Sequence, residues 1–127
     1  ITVAAVNSKG KERVETTKDL RNRYIERIKV SFNIADNKVA EKGPRNVYVQ
    51  ILAPNSQPIF DVAKGSGTFM LNGSEQFYTV KQDMIFDNSG QELTFFYEKG
   101  SDYVSGTHVV KIFLDNYQIG SKSFTVK

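Results

Sequence analysis

Apolar and polar side chains alternate with a period of two through most of this chain, the spacing of strands with one buried face. Ile28, Val30, Phe32 and Ile34 are interleaved with Lys29, Ser31 and Asn33. Val47, Val49 and Ile51 alternate with Tyr48, Gln50 and Leu52, and Pro54, which brings no N–H to a ladder, ends that run. Phe77, Thr79 and Lys81 oppose Tyr78, Val80 and Gln82 in a less clean stripe. Leu93, Phe95 and Tyr97 oppose Thr94, Phe96 and Glu98; His108, Val110, Ile112 and Leu114 oppose Val109, Lys111, Phe113 and Asp115. Gly120, Lys122, Phe124 and Val126 close the chain, and with residues 1–6 in front there are at least seven short strands.

The turns carry their own signals. Asn72-Gly73, between Thr68–Leu71 and Ser74–Val80, pairs two residues that tolerate positive φ, as a type I′ hairpin demands. Asp115-Asn116 predicts a second, weaker hairpin, and Gly43-Pro44 and Asp87-Asn88-Ser89-Gly90 read as loop tips. Only Thr17–Arg27 has helix-like spacing, in Leu20, Tyr24 and Ile28, and it is too short and polar to read as more than a turn or irregular connection. Strands at short intervals without helical connectors predict an antiparallel β-sandwich.

Tyr103-Val104-Ser105-Gly106-Thr107-His108-Val109-Val110-Lys111 resembles the corner that opens the penultimate strand of immunoglobulin-like sandwiches. In such corners a tyrosine hydroxyl bonds back to the loop backbone; here His108 holds that place and an imidazole N–H is the available substitute. The expected fold is therefore an all-β, antiparallel immunoglobulin-like sandwich of about seven to nine strands, residues 1–127 forming one domain.

A wider resemblance is carried by Arg27–Asn37, Gly43, Val47–Pro54 and the closing Val109–Gly120 with Asp115-Asn116 and Ile119-Gly120. These stretches are similar to an uncharacterised domain of Gram-negative cell-envelope proteins, in which a membrane anchor and a coiled coil precede a sandwich facing the periplasm. The resemblance implies the fold and a periplasmic or envelope location. Its shared residues are strand and turn residues, so it implies no catalytic group.

Composition narrows the classes further. The 127 residues are 39% hydrophobic and 24% charged, which excludes a disordered or low-complexity chain. No cysteine is present, hence no disulfide frame, thiolate nucleophile or Cys-ligated zinc, and no apolar run is long enough to span a membrane as a helix. The chain opens Ile1-Thr2-Val3 without an initiator Met or a signal-like segment, as an excised domain or processed product would. Residues 1–45 hold 11 basic and 6 acidic side chains, yet Glu12, Glu15, Asp19 and Glu26 interrupt the basic run. That interleaving reads as a solvated mixed-charge face, not a nucleic-acid surface.

Candidate chemistry is sparse. His108, the single histidine, lies in a strand with no Gly-x-Ser-x-Gly elbow anywhere, so a structural role is expected of it. Asp83, Asp87 and Glu92 flank a glycine-containing loop but lack a calcium-loop pattern and read as turn chemistry. Gly65-Ser66-Gly67 lacks the rest of a phosphate-binding motif and reads as a flexible loop, and the sequon Asn72-Gly73-Ser74 coincides with the hairpin turn. Tyr48, Tyr78, Phe96 and Tyr117 fall opposite the clean core stripes, either packing a second face or lying exposed.

The sequence thus predicts a non-enzymatic structural or protein-interaction module. Tyr48, Tyr78 and Tyr117 are its candidate binding anchors, and sheet-face or edge-strand recognition its mechanism. The alternative is a carbohydrate-binding module using exposed Tyr and Phe. No metal, cofactor or nucleic acid is expected, this segment is not expected to insert directly into a membrane, and flanking regions offer a route to a homo-oligomer.

Overall fold

A computed structural model of the chain describes residues 1–14, 20–34, 43–87, 90–98, 102–115 and 117–127. Glu15, Thr17, Asp19, Ala35–Asn37, Asn88, Ser89 and Asn116, named above, lie outside the described residues. Among the described residues there are ten strands: β1 (Thr2–Val6), β2 (Glu12–Val14), β3 (Arg27–Asn33), β4 (Gly43–Leu52), β5 (Gly67–Leu71), β6 (Ser74–Tyr78), β7 (Val80–Phe86), β8 (Glu92–Glu98), β9 (Gly106–Leu114) and β10 (Tyr117–Val126). They form two four-stranded antiparallel sheets, β2-β1-β3-β8 and β10-β9-β4-β7, and a separate hairpin, β5-β6. The fold is all-β, as the periodicity predicts.

The alternating stripes account for the core. Ile28, Val30 and Phe32 of β3 and Phe95 of β8 are buried on one sheet; Val47, Val49 and Ile51 of β4 and Val110, Ile112 and Leu114 of β9 are buried on the other, and all belong to one apolar cluster. Burying each such side chain contributes about 1.5–3 kcal/mol. Leu20 and Ile25, from the stretch with helix-like spacing, join the same cluster. Of that stretch, Leu20 forms a parallel bridge to Val126 and Asn22–Tyr24 makes a single 3₁₀ turn, so its described part is a connection laid along β10.

Two differences from the sequence reading have clear causes. Gly43 and Pro44 start β4 instead of capping a loop; Pro44 sits opposite Ile85 where β4 has β7 on one side and β9 has not yet begun to pair, an edge-like place that tolerates a missing N–H. The stripe Phe77–Gln82 is not one strand: it breaks at Thr79, where the chain leaves β6 for β7. The alternation also passes over β2, a three-residue edge strand whose Glu12 carboxylate meets Lys29 Nζ at 2.8 Å.

The β5-β6 hairpin turns at Asn72 (φ 50°) and Gly73 (φ 82°), the pair of left-handed residues that the type I′ turn requires. It lays Phe69, buried, on the outer face of the second sheet, with ring centroids 4.2 Å from Tyr48 and 5.2 Å from Phe113.

Thr79 joins the hairpin to that sheet. Its N–H donates to Val49 O (2.8 Å), its hydroxyl accepts from Ile51 N–H (2.9 Å) and donates to Ile59 O (2.8 Å), and its carbonyl accepts from Ser66 Oγ (2.7 Å). Thr79→Val removes a buried hydroxyl serving two backbone groups, an expected loss of about 1–3 kcal/mol. Thr79→Ser keeps the hydroxyl and is expected to lose less, a difference measured by urea denaturation of the two variants.

Candidate functional site

The two sheets leave a pocket of about 250 Å³ at the end of the sandwich where β4 and β8 stop and β9 begins. Its polar floor comes from both sheets. Tyr97 is the last inward residue of β8 and His108 the first of β9, and Tyr103 enters from the connection between them. All three are buried, at 2%, 0% and 7% exposure.

Each is held by local structure. Tyr103 N–H donates to Asn22 Oδ1 at 2.8 Å. The His108 ring stacks on Phe124, its partner across the β9–β10 ladder, at 5.2 Å, and meets the Tyr103 ring edge-on at 5.8 Å. His108 Nδ1 lies 3.1 Å from Gly106 O. A carbonyl only accepts, so Nδ1 carries the proton and Nε2 presents a lone pair. The imidazole is thereby tied to the backbone two residues upstream. Gly106 makes it from φ 134°, with Pro54 so close that a β-carbon would lie 2.9 Å from its ring.

Among the described residues, the buried side-chain polar atoms without a hydrogen-bond partner are Tyr97 Oη, Tyr103 Oη and His108 Nε2, and all three residues line this pocket. Leaving such a group unpaired costs about 1–3 kcal/mol. Burial raises the pKa of both phenols and lowers that of the imidazole; the adjacent phenol pushes Tyr103 up further, and the Gly106 bond only partly restores His108. The Ser66 hydroxyl, which donates to Thr79 O and accepts from Asp61 N–H at 3.0 Å, pulls Tyr97 the other way. The floor is therefore neutral: two phenols and one imidazole acceptor.

The rim has a different character. Ile59, Phe60 and Val104 make it apolar, with Phe60 42% and Val104 65% exposed, and Asp61 and Asp102 bring carboxylates to it. Asp61 is fixed by its neighbours: Oδ1 caps Ala63 N–H at 3.0 Å and its carbonyl accepts from Lys64 and Ser66 N–H. The Gly65-Ser66-Gly67 stretch is thus an ordered turn around a buried, doubly bonded serine, not a loose loop.

The aromatic residues singled out in the sequence lie elsewhere. Tyr48 packs on Phe69 and Tyr78, and Tyr78 lies over Gly67 of the same hairpin. Tyr117, 74% exposed, starts β10. Phe96 is half-covered by the Arg27 guanidinium, 4.9 Å from its ring, as Tyr24 is by Arg13 at 4.0 Å. The structure brings Tyr48 and Tyr78 together and leaves Tyr117 apart from both the hairpin cluster and the pocket. Tyr97 and Tyr103, absent from the sequence candidates, were visible only as tyrosines on inward positions, where a phenol needs a partner that an alkyl group does not.

One family's model, described as Domain of unknown function (DUF8428), matches residues 1–127. The chain belongs to that family. No curated protein and no solved structure matches it. The family description carries no activity, so what the pocket does rests on its chemistry.

His108 makes one consequence measurable. Its folded pKa lies below the ordinary 6.5 of an unfolded chain, so its contribution is complete above that value and shrinks as pH falls, because the unfolded chain takes the proton first. Stability is expected to fall between pH 7.5 and 5.5 by up to about 1.4 kcal/mol per pH unit. Urea midpoints should show this for the native chain and lose it in His108→Phe.

Proposed function

We propose that this chain is a non-enzymatic, immunoglobulin-like domain of an envelope-anchored protein facing the periplasm, and that it recognises a protein partner through the pocket end of its sandwich. The observation that carries this reading is the pairing of unsatisfied buried polar atoms with an exposed apolar rim. A domain serving only as a spacer has no use for either, and the exposed rim is covered when a partner docks on it.

The strand order supports the immunoglobulin-like reading. The sequence β10-β9-β4-β7 follows the G-F-C-C′ arrangement, β1-β3-β8 follows A-B-E, and His108 occupies the corner position at the start of the strand corresponding to F. The envelope setting rests on the resemblance of residues 27–37, 47–54 and 109–120 to periplasm-facing sandwiches. The non-enzymatic reading is supported at His108, whose Nδ1 is committed to Gly106 and whose Nε2 pairs with no hydroxyl nucleophile among the described residues.

Carbohydrate binding would favour coplanar exposed aromatics. The exposed pair Phe60 and Phe77 instead meets edge to face, at 78°, and Tyr117 makes no ring pair among the described residues. The protein-partner reading is therefore preferred.

Photo-crosslinking tests it. A benzoylphenylalanine placed at position 60 or 104 of the whole protein in its native cells is expected to capture one discrete partner, and one at position 117 is not. Phe60→Ala is expected to weaken that partner's binding about tenfold or more with unchanged urea stability. Capture at 117 alone, or none at any of the three, overturns the pocket end as the recognition surface.

A further inference from the structure

We infer that the chain associates with a second copy of itself, edge to edge along β7, about a two-fold axis at Gln82. No residue of β7 lines the pocket, and the recognition reading above does not depend on this edge.

The direction of the backbone groups comes first. In an antiparallel ladder one residue points its N–H and C=O at one neighbouring strand, and the next residue points them the other way. On β4 the phase is fixed at Asn46. Its N–H donates to Asp115 Oδ1 (3.1 Å) and its carbonyl accepts from Asp115 N–H (2.9 Å), both on the β9 side. Arg45 and Val47 therefore face β7, where their partners are Met84 and Gln82. Lys81, Asp83 and Ile85 point their backbone groups away from β4, and among the described residues no strand lies beyond β7. Gln91 agrees with this direction, because its Nε2 reaches Ile85 O at 2.9 Å.

The open part of the edge has defined ends. At one, Ile85 O is taken by Gln91, whose Oε1 also accepts from Asp87 N–H at 3.0 Å. At the other, Thr79 O is taken by Ser66 Oγ at 2.7 Å and the chain leaves for β6. Between these ends Lys81 and Asp83 each offer a donor and an acceptor, and Gln82 is the midpoint. Rotation about an axis through Gln82 sets Asp83 of the second copy opposite Lys81, and Lys81 of the second copy opposite Asp83. Each facing pair then exchanges both backbone bonds, as an isologous contact requires.

Charge makes the same register self-complementary. Lys81 and Asp83 lie on the outer face of β7, opposite in parity to the buried Met84 and Phe86, and their own ion pair is a loose 3.7 Å. A lysine on an edge strand ordinarily repels a second copy; here each charge meets its opposite across the axis. Gln82 meets itself, and an amide both donates and accepts. The other edges lack this symmetry. β8 ends in Glu92 and Glu98, so pairing about Phe95 sets carboxylate against carboxylate. β10 carries an irregularity between Gln118 and Gly120 and is bridged at Val126 by Leu20, and β2 has three residues.

Sedimentation equilibrium of the 127-residue chain at pH 7.5 and low salt is expected to show monomer and dimer with a Kd of about 0.5 mM or tighter, several-fold weaker at about 0.5 M salt. Lys81→Asp alone and Asp83→Lys alone set like charges opposite one another, and each is expected to weaken its dimer about tenfold. Mixed in equal amounts, the two variants place opposite charges at both pairs and are expected to regain the native affinity, which neither can do unless it is folded. The chain has no cysteine, so Gln82→Cys reads the register: across the axis its Cα atoms lie about 4.5 Å apart, within the disulfide range of about 4.4–6.8 Å. It is expected to oxidise to a covalent dimer about tenfold or more faster than Ser123→Cys, exposed on β10.

A chain that stays monomeric up to about 1 mM overturns the inference. So does a dimer whose affinity the single variants leave unchanged, or which their mixture fails to restore. Equal rates of oxidation for the two cysteine variants overturn the pairing along β7.

Discussion

The hydroxyl of Thr79 lies between two strands' worth of backbone. Along the first half of β4 the neighbour is β7; along the second half it is the returning segment at Pro58 and Ile59, bonded through Ile59 N–H to Ile51 O at 2.7 Å. Thr79 occupies the junction and satisfies Ile51 N–H and Ile59 O, groups that a simple change of partner would orphan. Its carbonyl then anchors Ser66, Ser66 anchors Asp61, and Asp61 shapes the 3₁₀ turn Val62–Lys64. One wall of the pocket, residues 59–61, is thus held in place by a chain of buried hydrogen bonds that starts at a single threonine. In a dry interior, bonds of this kind are strengthened by their neighbours, and the loss of one member costs more than its own share.

The other walls come from the sandwich itself, which explains how the pocket is at once rigid and costly. Tyr97 and His108 occupy inward positions of opposite sheets, where the pattern of each strand calls for apolar side chains, and the core closes around Phe95, Val110 and Ile112 immediately beside them. A fold that places three polar atoms in such positions without internal partners departs from the consistency that otherwise runs through its pattern, turns and packing, and departures of that sort collect at functional sites.

This also describes how far the sequence could be read. Period-two alternation exposed β3, β4, β8, β9 and β10 because each turns an apolar stripe toward the core, and Asn72-Gly73 declared its hairpin because few other pairs accept two left-handed residues. It missed β2, whose three residues have no buried side chain, and ran through Thr79, because alternation records which face a residue takes and not which strand it pairs with. The pocket was hidden for a related reason. Tyr97 and Tyr103 are separated from Asp61 by more than thirty residues, and only the crossing of the chain between sheets brings them together. Tyr48, by contrast, stood out as the aromatic residue off the core stripe, and its reason for being there is the hairpin that covers it.

Asn22 links places that have no other reason to be related. Its N–H donates to Lys127 O and its side-chain oxygen accepts from Tyr103 N–H, while Lys127 N–H donates to Leu20 O. The last residue of the chain is thus bonded to the same asparagine that holds the pocket's tyrosine. The end of β10, the 3₁₀ turn at Asn22 and the connection that carries Tyr103 thus share one set of backbone bonds, and the placement of the pocket's tyrosine depends on residues at both ends of the sequence.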